Sequence, residues 1–175
     1  KIMSKHPEIG ASILEGSKTL DYLNFDPNEK KIVSTSSLST TEAVRVNFFR
    51  KDLDGLKVRP PNFYQSYNYA IFAPTSGINV KNILELNYIF WPIATGDFAT
   101  YPLISSEQAY QFLISGQATV ASMGFNTGNS IIIREIYLVY YDSEEPQLYL
   151  QPVFVFEGDN NFIAYYPAIS SDYLE

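Results

Sequence analysis

The sequence contains no cysteine and only one histidine, His6, among its 175 residues. The absence of cysteine excludes disulfides, zinc–thiolate sites and thiol catalysis. No apolar run approaches the roughly 18 residues that a membrane-spanning helix needs. His6 lies in a polar N-terminal stretch, and a catalytic triad built on it would need a fixed base. We therefore expect no histidine-based active site.

Basic residues are scarce in the second half of the chain. Residues 90–175 hold ten Asp/Glu and a single basic residue, Arg134, whereas residues 1–89 hold nine acids and eleven Lys/Arg. This acidic second half repels phosphate backbones and anionic membrane surfaces. We therefore expect no nucleic-acid binding. The same field suits a basic partner or a divalent cation, and solubility alone is the simpler explanation.

Aromatic residues are abundant, with fourteen tyrosines and twelve phenylalanines, and such residues favour strands. Hydrophobic residues make up 46% of the chain and charged residues 18%, so the chain can bury a core. The length predicts a single domain over residues 1–175. Two lobes are the alternative, a strand-rich lobe at about 20–95 and a lobe of helix plus meander at 101–168.

Alternating apolar and polar residues indicate several short strands in the first half. Residues 1–18 carry only a faint helical pattern. Asp26-Pro27-Asn28-Glu29 is typical of a turn, and further turns are indicated at residues 52–55 and 75–77. These features predict strands at residues 20–25, 31–34, 43–50, 67–73 and 78–92.

Residues 105–116 have the pattern of a capped helix. Ser105 and Gln108 have the spacing of a capping box, and Gly116 stands where a C-terminal cap belongs. Ala109 and Phe112, together with Leu113, give the helix one apolar face. We expect that face to pack against a sheet.

Three runs rich in β-branched and aromatic residues follow, at about 131–141, 149–157 and 162–168. Polar turns at 142–147 and 158–161 separate them, so the runs predict antiparallel hairpins. The predicted fold class is α+β with antiparallel sheets, in which a C-terminal helix is followed by a three-stranded antiparallel meander. An antiparallel sheet needs only one buried face, which the helix would cover.

The aromatic residues of these runs are candidates for a binding surface, because rings supply much contact area at low entropy cost. The alternative is that they form the core and the outer face of a sheet. The candidate binding residues are Tyr137, Tyr141, Tyr149, Phe154 and Tyr165.

The acids of the predicted turns are the other candidates for chemistry. Carboxylates in loops can ligate calcium, but these lack the spacing of an EF-hand, and solvated turn residues that protect sheet edges are the simpler reading. Nothing places two of them as a glycosidase pair, and Gly124 to Gly128 do not form a phosphate loop. We predict no catalytic residue, metal site or cofactor. The acids concerned are Asp142, Glu144, Glu145, Glu157 and Asp159.

Two blocks carry a family resemblance: residues 101–116 (YPLISSEQAYQFLISG), and residues 133–141 (IREIYLVYY) followed by 149–157 (YLQPVFVFE). Together they resemble the extracytoplasmic domains of the YycH/YycI type and, more distantly, PepSY-like modules, over roughly residues 101–168. The resemblance implies a membrane-anchored bacterial protein that faces outside the cytoplasm. Such relatives act by protein contact, restraining a sensor kinase in the YycH/YycI case, and no catalytic residue carries over.

The expected function is therefore that of a non-enzymatic extracytoplasmic domain that binds a protein or peptide partner in a regulatory or envelope role. The chain begins at Lys1, not Met, so we expect a fragment whose membrane anchor lies upstream. Two alternatives stay open: a carbohydrate-active or hydrolytic domain using the carboxylates of the second half, and a structural cell-surface module that associates through an open sheet edge. The oligomeric state is not predicted.

Overall fold

The computed structural model describes residues 15–73, 83–94, 96–128 and 130–173. His6, most of the faint helical pattern at 1–18 and the turn predicted at 75–77 lie outside these ranges. The chain divides into two compact units, residues 1–51 with 64–90 and residues 52–63 with 91–175. The division is not a single cut, because residues 52–63 belong to the second unit.

Within the described ranges the chain forms ten strands and one α-helix. No helix among them is long and apolar enough to cross a membrane. In chain order the elements are β1 Lys18–Asp26, β2 Lys31–Ser34, β3 Ala43–Phe48, β4 Val58–Arg59, β5 Tyr69–Phe72, β6 Ile83–Asn87, α1 Ser106–Ile114, β7 Thr119–Ser122, β8 Ile133–Tyr141, β9 Gln151–Gly158 and β10 Phe162–Pro167.

The sheet of the first unit has the order β2-β1-β3-β5-β6, and every neighbouring pair is antiparallel. The predicted turn between β1 and β2 is confirmed. Asp26 Oδ1 accepts hydrogen bonds from the backbone N–H of Asn28, at 2.8 Å, and of Glu29, at 3.2 Å. This side-chain turn closes the hairpin, because a short acidic side chain can bond its own backbone two residues on.

One face of this sheet contains a buried amide, Asn47, whose polar atoms are all bonded. Its Nδ2 donates to Asp21 Oδ2 at 2.9 Å and to Thr19 Oγ1 at 3.2 Å. Its Oδ1 accepts from Arg45 Nε at 2.9 Å and from the Ser66 N–H at 3.2 Å. A buried polar group is stable only when it is satisfied. The network therefore favours one register of β1 against β3.

The strand predicted at residues 78–92 is shorter in the structure. Residues 78–82 lie outside the described ranges, and β6 ends at Asn87. Beyond it, the N–H of Ile89 donates to the side-chain oxygen of Asn68 at 2.8 Å. This bond is made to a side chain just before the start of β5, and residues 88–92 are not part of a strand.

The sheet of the second unit has the order β4-β8-β9-β10-β7. Its pairs are antiparallel except β4 with β8, where Val58 lies opposite Tyr140 in parallel. The predicted α+β character with antiparallel sheets is confirmed by the two units together. Two strands were not predicted. β7 lies between the helix and β8 in the chain and pairs with β10. β4 comes from residues 52–63.

Helix α1 begins with the predicted capping box. Ser105 Oγ accepts from the Gln108 N–H at 3.2 Å, and Gln108 Oε1 accepts from the Ser105 N–H at 2.9 Å. Gly116 follows the helix with φ of 74°. The apolar face packs on the sheet, where the ring of Phe112 stacks on Tyr166 with 4.4 Å between centroids. The cluster there contains Ala109, Phe154, Phe156, Phe162, Ala164 and Ala168.

Candidate functional site

The five aromatic residues predicted as a binding surface lie in different settings. Phe154 and Tyr165 are buried, Tyr137 and Tyr141 are half-buried, and Tyr149 is 65% exposed. Phe154 and Tyr165 are therefore core residues, and the prediction that they lie on a surface is wrong. The physical reason is that β9 and β10 are interior strands that are covered on both faces, so alternation along them does not separate inside from outside.

The three tyrosines opposite the helix face of the sheet form polar contacts within the second unit. Tyr165 Oη donates to the Pro60 carbonyl at 3.1 Å, and its ring meets Tyr141 edge-on at 5.9 Å. Tyr137 Oη donates to Glu157 Oε2 at 2.8 Å, and Lys57 Nζ lies 5.6 Å from the centre of the Tyr137 ring. These contacts hold the rings in place, with Tyr165 buried and with Tyr137 and Tyr141 half-buried.

Glu157 was predicted in a solvated turn, and the structure places it within β9 instead, as the acceptor for Tyr137. Burial, followed by the hydrogen bond to this carboxylate, raises the pKa of Tyr137 above its ordinary value. Burial also raises the pKa of Tyr141. The neutral phenol is therefore the stable form of Tyr137 in the folded protein.

This protonation gives a prediction about alkaline pH. A raised folded pKa contributes stability that is complete below the unfolded pKa of about 10 and is lost as the pH rises beyond it. We expect the free energy of unfolding to fall more steeply above pH 10 in the wild type than in Tyr137→Phe. Urea denaturation at stepped pH measures both slopes. The exposed Tyr149, changed to phenylalanine, is the matched control and should keep the wild-type slope, and equal slopes for all three proteins would contradict the prediction.

Asp142 was also predicted in a solvated turn. This prediction is wrong, because Asp142 is only 6% exposed. Its N–H donates to the carbonyl of Arg59 at 2.9 Å, just past the parallel pairing of β4 with β8. Arg59 is buried as well, and burial lowers the pKa of its guanidinium. The unpredicted strand β4 therefore covers the end of β8 and takes Asp142 out of solvent.

The remaining predicted acids lie at the surface. The two oxygens of Asp159 accept from Arg134 Nε and Nη2 at 2.6 and 2.7 Å, and this pairing lowers the pKa of Asp159. Glu144 and Glu145 are exposed. In the part of the chain that the structure describes, no group of three or more His, Cys, Asp or Glu side chains is arranged to hold a metal ion.

The other notable surface is on the first unit, and we call it the apolar sheet face. Cross-strand register aligns apolar side chains of β1, β3, β5 and β6 into two rows, because directly opposite residues point to the same side of a sheet. The first row is Leu20, Val46, Ala70 and Leu86, and the second is Tyr22, Val44, Phe72 and Ile83.

Much of the apolar sheet face is open to solvent. Leu20 is 55% exposed, Leu86 54% and Phe72 39%. The other face of the sheet is the covered one, because it holds the fully buried Asn47 and the buried cluster of Leu23, Ala43 and Ile71. Apolar side chains at this exposure mark interaction surfaces when they are contiguous.

A groove of about 380 Å³ adjoins the second row. Val44 and Phe72 belong to both the row and the groove, and the Glu42 carboxylate at its side accepts a hydrogen bond from the Phe25 N–H at 2.7 Å. The groove is lined by Thr41, Glu42, Ala43, Val44, Phe72 and Ala73.

The alternation at residues 43–50 was the sequence signal for this face, since it predicted a half-buried strand. It did not indicate that the face with Val44 and Val46 would be the open one and the face with Ala43 and Asn47 the covered one. Comparison with family models, curated proteins and solved structures finds no match for this chain. The relation to YycH/YycI or PepSY-like domains therefore stays a prediction.

Proposed function

We propose that this chain is a non-enzymatic extracytoplasmic domain of a membrane-anchored bacterial protein, and that it binds a protein or peptide through the apolar sheet face. The observation that carries the proposal is the two apolar rows, whose side chains at Leu20, Leu86 and Phe72 are substantially exposed. Covering them with a partner removes apolar area from water, which is the main driving force of association. The regulatory or envelope role comes from the family resemblance of residues 101–168.

In this proposal the second unit is the scaffold, with the C-terminal helix and the meander of β8 to β10 as its core. Its buried aromatic residues, such as Phe154 and Tyr165, serve packing. For the hydrolytic alternative, the described residues show Glu157 and Asp159 bonded to Tyr137 and Arg134, and these bonds do not favour a catalytic role for the two carboxylates.

A peptide-display selection against the full chain tests the proposal. Selected peptides should bind the Phe72→Asp variant about tenfold or more weakly, since a charge at the centre of an apolar contact loses a hot-spot contribution. The Phe98→Asp variant is the matched control, because Phe98 is exposed in the second unit. Circular dichroism checks that both variants fold. Equal binding to wild type and Phe72→Asp, or a selection that yields no binder, would contradict the proposal.

A further inference from the structure

The strand β6 is the open edge at which the apolar sheet face ends. In the described part of the chain it pairs with β5 on one side and with no strand on the other. An edge strand presents unpaired backbone N–H and C=O groups, which are a template for another strand. All of β6 except Asn87 is exposed, and the strand contains neither lysine nor proline. The features of β6 that commonly protect an edge are one charged residue, Glu85, and a bulge at Leu84.

The side chain of Leu86 determines which type of residue an added strand needs at the position opposite it. It continues the row of Leu20, Val46 and Ala70, so a residue placed opposite it lies on the apolar sheet face. An apolar side chain at that position extends the row by one strand. Cross-strand neighbours of this kind stabilise a sheet pair by roughly 0.2–1 kcal/mol each.

Glu85 determines the preferred charge of the residue opposite it in an added strand. It is the one charged residue of β6, and it points to the opposite face, where its carboxylate accepts a hydrogen bond from the Tyr69 hydroxyl. Arg45 lies in the same cross-strand row as Glu85, with Ile71 between them. Its guanidinium stacks 3.7 Å from the centre of the Tyr69 ring and donates to Asn47 and the Ser66 carbonyl. A basic residue opposite Glu85 would pair with an exposed carboxylate, whereas an acidic one would be repelled.

The length of the pairing is limited by a bulge. Glu85 lies opposite Ile71 while Ile83 lies opposite Phe72, so β6 contains one extra residue at Leu84. Bulges bend a strand and interrupt its ladder. An added strand would therefore pair with residues 85–87 and reach the side chain of Ile83 with its end.

We propose that β6 accepts an extended peptide as an added strand, and that this peptide alternates apolar and basic residues, the apolar ones continuing the apolar sheet face and a basic one opposite Glu85. The inference rests on the proposed function and names its mode and ligand class, which is strand addition with side-chain specificity. A second copy fits less well, because β6 offers no basic residue to place opposite Glu85.

Two synthetic peptides test the inference, Thr-Val-Lys-Val-Lys-Val-Thr and the same peptide with both lysines replaced by glutamate. Fluorescence anisotropy gives the dissociation constants, and we expect the lysine peptide to bind about fivefold or more tightly. Glu85→Lys should reverse this preference. Glu29→Lys is the matched control, because it changes the net charge equally at the exposed β1–β2 turn and should leave the preference unchanged. Amide exchange should slow at residues 85–87 when the lysine peptide is bound.

The possible results of these experiments distinguish strand addition from net charge, from another mode of peptide binding and from dimerisation. A preference that Glu29→Lys abolishes as fully as Glu85→Lys does would reflect net charge and overturn the inference. Failure of the lysine peptide, while display-selected peptides still bind and still depend on Phe72, would overturn strand addition and leave the proposed function standing. Absence of any peptide binding would overturn both. A concentration-dependent dimer in sedimentation that Glu85→Lys changes would assign the edge to a second copy, against the inference.

Discussion

Replacing Phe156 with alanine is expected to lower the free energy of unfolding by about 3–5 kcal/mol. The side chain is fully buried, and it lies opposite Ile136 on β8 and Ala164 on β10. It belongs to the cluster that Ala109 of the helix completes. Strands on both sides hold the backbone of β9, so the site cannot collapse to fill the space. Urea denaturation followed by circular dichroism measures the change.

Phe125→Ala is the matched control for this prediction. Phe125 is 79% exposed in the same unit, and its removal should change the free energy of unfolding by less than about 0.5 kcal/mol. If Phe156→Ala cost less than about 1 kcal/mol, the helix and the sheet would not share the core described for them.

The helix was predictable because all of its signals are local. Ser105 and Gln108 are three residues apart, and Gly116 follows within the same short segment. Capping depends on hydrogen bonds between near neighbours, so the twelve residues 105–116 are enough to predict both ends of the helix. The turn at residues 26–29 was predictable for the same reason.

The strands β4 and β7 were not predictable, because their partners are remote. Val58 pairs with Tyr140, and Thr119 pairs with Tyr165. Each strand is too short to show a period of its own, so its conformation is decided by tertiary contact. The burial of Asp142 follows from β4 and was missed with it.

The candidate site was predictable only in part. Alternation at residues 43–50 indicates two unlike faces, but it does not tell which face is covered. The usual assignment places apolar residues inside. Here the buried residues of β3 are Ala43 and Asn47, on one face. The amide of Asn47 can be buried because Asp21, Thr19 and Ser66 supply its hydrogen bonds from distant parts of the chain.

Replacing Gly124 with alanine is expected to cost about 2–5 kcal/mol, the sum of backbone strain and steric overlap. Its φ is +57°, and an added Cβ would lie 1.8 Å from the carbonyl oxygen of Asn160. That oxygen cannot move freely, because it accepts from the Phe125 N–H at 2.8 Å. Asn126 Nδ2 also holds the same turn through the Asp159 carbonyl at 2.9 Å. Thermal and urea denaturation measure the loss.

Gly116→Ala separates the two causes. Gly116 has a similar positive φ of +74°, but nothing lies within 4 Å of an added Cβ, so only strain of about 1–2 kcal/mol applies. The excess loss in Gly124→Ala then measures how tightly residues 123–126 dock on the β9–β10 turn. Equal losses would mean that this docking contributes nothing. A large excess would mean that glycine is required at position 124 because two backbones approach closely there. The glycines of this segment do not form a phosphate loop.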